Sequence, residues 1–310
     1  MSTIFLTHEA GLAHVTPPGH PEQVARLEAI YAALRSPDCD ALDRRIAPAA
    51  APEEVLRCHS AEHMNAVRSA TPDTGWAGLD PDTFMAPDSW KAAMHAIGGV
   101  EAAVDAVLAG EATNAFVAMR PPGHHAERNR VMGFCLFGTV AIAAKYALDA
   151  RGLSRVAVLD FDVHHGNGTQ DLLWNEARTM FVSSQQMPLW PGTGAASETG
   201  AHDQIINLPL PVGSGGHEMR AAWEGALERV RDFAPELVLI SAGFDAHRDD
   251  PLANLNWTEA DFAWITHAIC DVAEDCCEGR VVSSLEGGYD LAALGRSVAA
   301  HVRVLMERGG

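Results

Sequence analysis

A chain of 310 residues with 47% apolar and 20% charged side chains has an ordinary globular composition, neither disordered nor fibrous. Its 41 acidic against 22 basic residues leave a net charge of −19, which argues against direct contact with nucleic acid or an anionic membrane. No apolar run reaches the roughly 18 residues of a membrane span, and the start Met1-Ser-Thr-Ile-Phe-Leu-Thr-His-Glu9 lacks the basic-then-apolar pattern of a secretory signal.

In chain order, the first clear pattern is an amphipathic helix over Trp90–Leu108, followed by the apolar run Ala115–Met119. Helical periodicity returns at Gly138–Ala150. Strand-like runs follow at Arg155–Phe161 and Thr179–Ser183, a helix at His217–Phe233 and a strand at Glu236–Ser241. A helix over Thr258–Cys276, a strand at Arg280–Leu285 and a helix over Leu291–Met306 complete the series. The strands lack two-residue alternation, as expected where helices cover both faces of a sheet, so the predicted class is α/β with a mainly parallel sheet. No repeat or Pro/Ser-rich linker interrupts the chain, and residues 1–310 read as a single domain. Two long irregular stretches, Thr71–Asp88 and Gln185–Gln204, have the length of functional loops and are expected over one rim of the sheet. Six scattered cysteines with no CxxC spacing suit a reducing, cytoplasmic setting.

The chemistry gathers where apolar runs end. Val156–Phe161 runs into Asp160-Phe-Asp-Val-His-His-Gly-Asn-Gly-Thr169, and on an extended strand Asp162 and His164 would share one face and grip one metal ion. Ser241-Ala-Gly-Phe-Asp-Ala-His-Arg-Asp-Asp-Pro251 offers Asp245 as a third ligand, whereas Asp249 and Asp250 read as turn or helix caps before a proline. Two Asp and one His leave a coordination position open, the pattern of a catalytic zinc site that activates water. Arg120-Pro-Pro-Gly-His-His-Ala126 holds His124 and His125 in a fixed turn, suited to acid–base work near neutrality. Leu285-Glu-Gly-Gly-Tyr-Asp290 presents Tyr289, one of three tyrosines in the chain, as a hydrogen-bond donor to a reacting oxygen. Met132-Gly-Phe-Cys135 and Leu189-Trp-Pro-Gly-Thr-Gly194 bring Phe134 and Trp190 beside glycines, and aromatics so placed are more often core than wall. Together the set describes hydrolysis of an amide or ester without a serine nucleophile, since no G-x-S-x-G occurs.

Taken with the early Gly19-His-Pro-Glu-Gln-Val-Ala-Arg-Leu27, these ordered motifs resemble the zinc-dependent histone deacetylase family, in the class II-like branch that includes bacterial histone deacetylase-like amidohydrolases. The resemblance covers nearly the whole chain. It implies the arginase/deacetylase fold, a central sheet of about eight parallel strands flanked by helices on both faces. It also implies one catalytic Zn2+ on Asp162, His164 and Asp245, with His125 as the general acid/base and His124 mainly electrostatic. Asp160 and Asn167 would orient the two rings, and Tyr289 would donate to the substrate carbonyl. Phe134 and Trp190 would wall an acyl-chain tunnel, and the Gly133 carbonyl would accept from the scissile amide. A K+ ion is implied near the zinc, held by Asp160, Asp162, His164, Ser183 and Ser184. Trp190 replaces the usual phenylalanine. Leu252 stands where polyamine-selective relatives carry a glutamate, which points to a neutral acyl-lysine chain.

The expected partners are acetylated lysine side chains or small acetylated amines, and the sequence is compatible with a homo-oligomer. An acetylpolyamine deacetylase is the main alternative, and the acidic surface pulls weakly towards it. A dimetal ureohydrolase on the same fold would want a carboxylate two residues after His164, where Gly166 stands. A non-catalytic acyl-lysine binder would not be expected to keep every ligand and Tyr289.

Overall fold

The computed structural model describes residues 2–310 and turns the apolar runs into one eight-stranded sheet. The first half of the chain contains β1 (Thr3–Thr7), α1 (Ala10–Ala13), α2 (Ala25–Ala33), β2 (Asp43–Ile46), α3 (Ala61–Ser69), β3 (Ala77–Gly78), β4 (Phe84–Met85), α4 (Ser89–Leu108), β5 (Asn114–Val117) and α5 (Thr139–Asp149). The second half contains β6 (Val156–Asp160), α6 (Asn167–Leu173), β7 (Thr179–Gln186), β8 (Ile205–Leu210), α7 (Gly216–Phe233), β9 (Leu237–Ala242), α8 (Glu259–Cys277), β10 (Val281–Leu285) and α9 (Leu291–Gly309). The sheet order is β2-β1-β5-β10-β9-β6-β7-β8, and every neighbouring pair is parallel. This is the arginase/deacetylase fold inferred from the sequence.

Continuous apolar strands are explained by their two covered faces. Ala157 and Leu159 of β6, with Val238 and Ile240 of β9, pack in a layer built with α2, α7, α8 and α9. Val156 and Val158, with Leu237 and Leu239, pack in a second layer with α4 and α5. Each fully buried leucine or isoleucine contributes about 1.5–3 kcal/mol relative to an exposed one. A capping box opens α8, where Asp261 accepts from the Thr258 N–H at 2.9 Å. Asp290 caps α9 by accepting from the Ala293 N–H at 2.8 Å.

The strand order also places the site. After β5 the chain crosses to β6 and runs outward to the edge strand β8, then returns to fill the gap with β9 and β10. Register sets Asp160 beside Ser241 and Ser183, and Leu285 beside Ala242, so the central strands end at one height. Ligands in open α/β sheets bind at that carboxyl end.

All five expected helices form. The sequence reading did not identify β1, β2 and β8. Both sheet edges are atypical strands: β2 is Asp-Arg-Arg-Ile, half exposed, and β8 carries Pro209. The expected irregular stretch Thr71–Asp88 contains the small β3–β4 hairpin, and β7 continues to Gln186, two residues into the second stretch. Among the described residues no helix is long and apolar enough to cross a membrane.

Candidate active site

Asp162 and His164 do not meet through strand alternation, because β6 stops at Asp160. The turn beyond it is folded by carboxylates: Asp160 Oδ1 accepts from the Asp162 N–H (3.1 Å), and Asp162 Oδ1 accepts from the His164 N–H (2.9 Å). Asp245, past the end of β9, accepts from the Val163 N–H at 2.9 Å, which ties the two strand ends together. Ligand atoms of Asp162, His164 and Asp245 lie within 4.8 Å of one another, and all three side chains are buried. His164 Nδ1 is 3.2 Å from Asp162 Oδ1 and 3.1 Å from Asp245 Oδ2. Burial disfavours charge on this imidazole, yet the two carboxylates outweigh it and raise His164 to about 10. Among the described residues, no lysine or arginine pairs with either carboxylate. Two buried carboxylates that meet only imidazoles are costly unless a cation joins them. Two oxygens and one imidazole nitrogen at this spacing fit a small divalent metal.

Glycines make room for the cluster. A Cβ on Gly243 or Gly287 would overlap the Asp162 or Asp245 carboxylate, and the Gly287 N–H donates to Asp162 Oδ2 at 2.9 Å.

The tandem histidines approach from the turn after β5. His124 Nδ1 lies 3.0 Å from Asp160 Oδ2, and its Nε2 lies 3.7 Å from Asp162 Oδ2. Burial opposes protonation of His124, but Asp162 and Asp160 prevail and raise its pKa well above the ordinary value. His125 is moved the other way, by burial and then by the charges of His124 and His164. Its Nδ1 lies 2.7 Å from Asn167 Oδ1, at the start of α6. Asn167 Nδ2 donates to Glu127 Oε1 at 2.9 Å, so its oxygen is the atom turned to His125. That oxygen can only accept, which puts the proton on Nδ1 and leaves Nε2 with a free lone pair.

His125, His164 and Tyr289 line one cavity of about 330 Å³, together with Gly133, Phe134, Trp190 and Leu252. Trp190 is 43% exposed and Leu252 36%, against 4% for His125 and 9% for Tyr289, so the first pair stands at the mouth. The Trp190 ring packs edge-on to His125 at 4.7 Å between centroids. Phe134 holds φ at +69°, a left-handed conformation that costs about 1–3 kcal/mol in a bulky residue, and its ring meets Tyr289 edge-on at 5.8 Å. Both long loops reach this cavity, one through Pro81, Asp82 and Phe84, the other through Leu189 and Trp190. Asp160, Asn167 and His124 lie behind it. Ser183 neighbours Asp160 across β6–β7, and the buried Ser184 hydroxyl has no hydrogen-bond partner.

Several residues at the site stand inside the quoted sequence motifs but had no role assigned to them there. His20 lines the cavity and bonds the Asp82 carbonyl through Nε2 at 2.9 Å. Glu22, Arg26 and Arg120 form a fully buried ionic cluster behind Tyr289. Burial alone would raise the Glu22 carboxyl, but Arg120 and His14 hold it well below the usual range. Glu22 and Arg26 lie in the Gly19–Leu27 motif, but opposite charges four residues apart look the same on a surface helix, so their burial was not legible there. Glu286 accepts from the backbone N–H groups of Gly123 and His124 at 2.7 and 3.2 Å, fixing the tandem-histidine turn. Asp250 does cap its own turn, accepting from the Leu252 N–H, but its other oxygen reaches the Tyr289 backbone.

A model of the histone deacetylase domain matches residues 20–305. A probable deacetylase of Archaeoglobus fulgidus is 37% identical, over 94% of this chain and 82% of its own length. A histone deacetylase-like amidohydrolase of Pseudomonas aeruginosa is 38% identical, over 81% and 67% respectively. The crystal structure of the HDA15 HD domain superposes with a TM-score of 0.93 at 33% identity, covering 99% of this chain and 89% of that one. A chain whose parallel sheet ends in a buried Asp/His/Asp cluster, and which these proteins match over 81–99% of its length, belongs to the histone deacetylase family of zinc-dependent amidohydrolases.

Proposed function

We propose that this chain removes the acetyl group from acetylated lysine side chains, giving acetate and free amine, and that Asp162, His164 and Asp245 hold one zinc ion for that purpose. The observation that carries this reading is convergence. His164 of the cation-seeking cluster, His125 with a free lone pair and Tyr289 line one largely apolar cavity, with Asp162 and Asp245 buried against His164. Zinc in that cluster supplies Lewis acidity to the scissile carbonyl and acidifies water.

The chain's own groups do the rest. His125 takes a proton at Nε2 and returns it to the departing nitrogen, while Asn167 holds the opposite side of the ring. His124, charged and anchored on Asp160, stabilises negative charge developing nearby. The Tyr289 hydroxyl donates to the carbonyl oxygen and binds it more strongly as that oxygen gains charge. The Gly133 carbonyl accepts from the scissile amide N–H, and Phe134 and Trp190 flank the methylene chain. A K+ ion on Asp160, Asp162, His164, Ser183 and Ser184 belongs to the same proposal, supported by the unpartnered Ser184 hydroxyl. So do the assignment of residues 1–310 to one deacetylase domain and a cytoplasmic location.

Leu252 supports the acetyl-lysine reading. An acetylpolyamine brings an ammonium to the mouth of the cavity, where leucine offers only apolar wall, worth about 1–3 kcal/mol to a fitted aliphatic chain. Acetyl-lysine peptides should therefore be hydrolysed faster than acetylspermidine or acetylputrescine, and Leu252→Glu should shift the ratio towards the polyamines. Asp82 favours the second reading, because it lines the same cavity. A wild-type preference for acetylpolyamines would overturn the lysine assignment, and Asp82→Asn would then be the variant expected to remove that preference.

A further inference from the structure

Tyr289 reaches the cavity from two consecutive glycines, and Gly288 holds φ at +119°, a region that favours glycine. A Gly-Gly segment has little stiffness of its own, so the phenol must be placed by contacts from elsewhere. Two residues supply them. Arg26 donates to the carbonyls of Glu286 and Gly288 at 2.5 and 2.6 Å, and its guanidinium lies 4.9 Å from the centre of the Tyr289 ring. Asp250 takes the backbone itself. Its Oδ2 accepts from the Tyr289 N–H at 2.7 Å and from the Asp290 N–H at 3.4 Å, while Oδ1 accepts from the Leu252 N–H at 3.0 Å. The residue is 7% exposed. A single buried carboxylate thus joins the loop at the mouth of the cavity to the residue deep inside it.

We propose that Asp250 is a positioning residue for the hydrolysis, fixing the reach of the Tyr289 hydroxyl and coupling it to the Leu252 loop. This rests on the reading of Tyr289 as the donor to the substrate carbonyl. One buried carboxyl that accepts from the Leu252, Tyr289 and Asp290 N–H groups together suits an anchor that must hold a flexible turn.

Misplacing a catalytic group by about 1 Å can cost on the order of 10²-fold, so Asp250→Ala should lower kcat by about 10- to 100-fold, with KM changed much less. Asp250→Asn keeps one accepting oxygen and should fall between that variant and wild type. A residue that acts through a hydroxyl has nothing to act on once the hydroxyl is gone. In a Tyr289→Phe background, Asp250→Ala should therefore cost less than about twofold. An equal loss in both backgrounds would overturn the proposal.

A second readout is independent of turnover. The chain has three tyrosines, Tyr31, Tyr146 and Tyr289, so fluorotyrosine-labelled protein gives three fluorine resonances. Tyr289→Phe identifies one of them by deleting it. Asp250→Ala, or Asp250→Asn if the alanine variant does not fold, should shift or broaden that resonance alone and leave zinc content unchanged. A folded variant with the Tyr289 resonance unmoved would also overturn the proposal. Absence of deacetylase activity in the wild type would instead count against the proposed function, and the resonance comparison would still decide whether Asp250 places Tyr289.

Discussion

Replacing His125 by alanine should reduce turnover on an acetyl-lysine peptide by about 10²–10⁴, the range expected for loss of a general acid–base group. Fold and zinc content should be unaffected, because His125 is not one of the three cluster ligands. The size of the effect follows from its protonation. Burial, and then the charge of neighbouring His124, lower the pKa of this ring well below its ordinary value, and Asn167 Oδ1 accepts from Nδ1. The base is therefore ready at Nε2 without prior deprotonation. His124 is set up oppositely, as a cation on Asp160, and His124→Ala should be less damaging. Steady-state rates of the two variants decide between the roles, and a larger loss from His124 would exchange them.

Asp245→Ala should remove zinc and activity together, with a loss of turnover at least equal to that of the His125 variant. Two ligands, Asp162 and His164, would remain of three. The Val163 N–H would lose its acceptor, at a cost of about 1–3 kcal/mol for an unsatisfied buried donor. Asp245→Asn keeps an acceptor at that position and separates the two effects. It should restore thermal stability without restoring full metal affinity. Elemental analysis beside turnover provides the check, and stoichiometric zinc with normal activity in the alanine variant would remove Asp245 from the ligand set.

How much of this was legible in the sequence depended on whether the signal was local. Asp160, Asp162, His164, His165 and Asn167 sit within eight residues at the end of an apolar run, and that crowding of polar groups alone marks a site. Strand alternation was nonetheless the wrong reason for Asp162 and His164 to converge. The turn that brings them together is built from bonds in which the Asp160 and Asp162 carboxylates accept from the Asp162 and His164 N–H groups, which no periodicity reports. The buried strands β6, β9 and β10 were legible because burial on both faces leaves an unbroken apolar run. The edge strand β2 was not, since Arg44 and Arg45 need only one covered face. Positioning residues were the hardest to see. Arg26 lies more than 250 residues from Tyr289 and meets it only because α2 packs beside α9, next to the end of β10. Asp250 looked like a turn cap because it is one, and its second oxygen acquires a partner only in the fold.

Acetate release from an acetyl-lysine peptide, followed on the purified chain as isolated, after chelation and after re-addition of zinc, tests the metal-dependent deacetylase reading most directly. The expected result is hydrolysis that disappears on chelation and returns with about one equivalent of zinc, as expected of a single three-ligand catalytic site. An undiminished rate in protein shown by elemental analysis to be free of metal, or zinc-loaded protein that releases acetate from no N-acetyl amine, would contradict it.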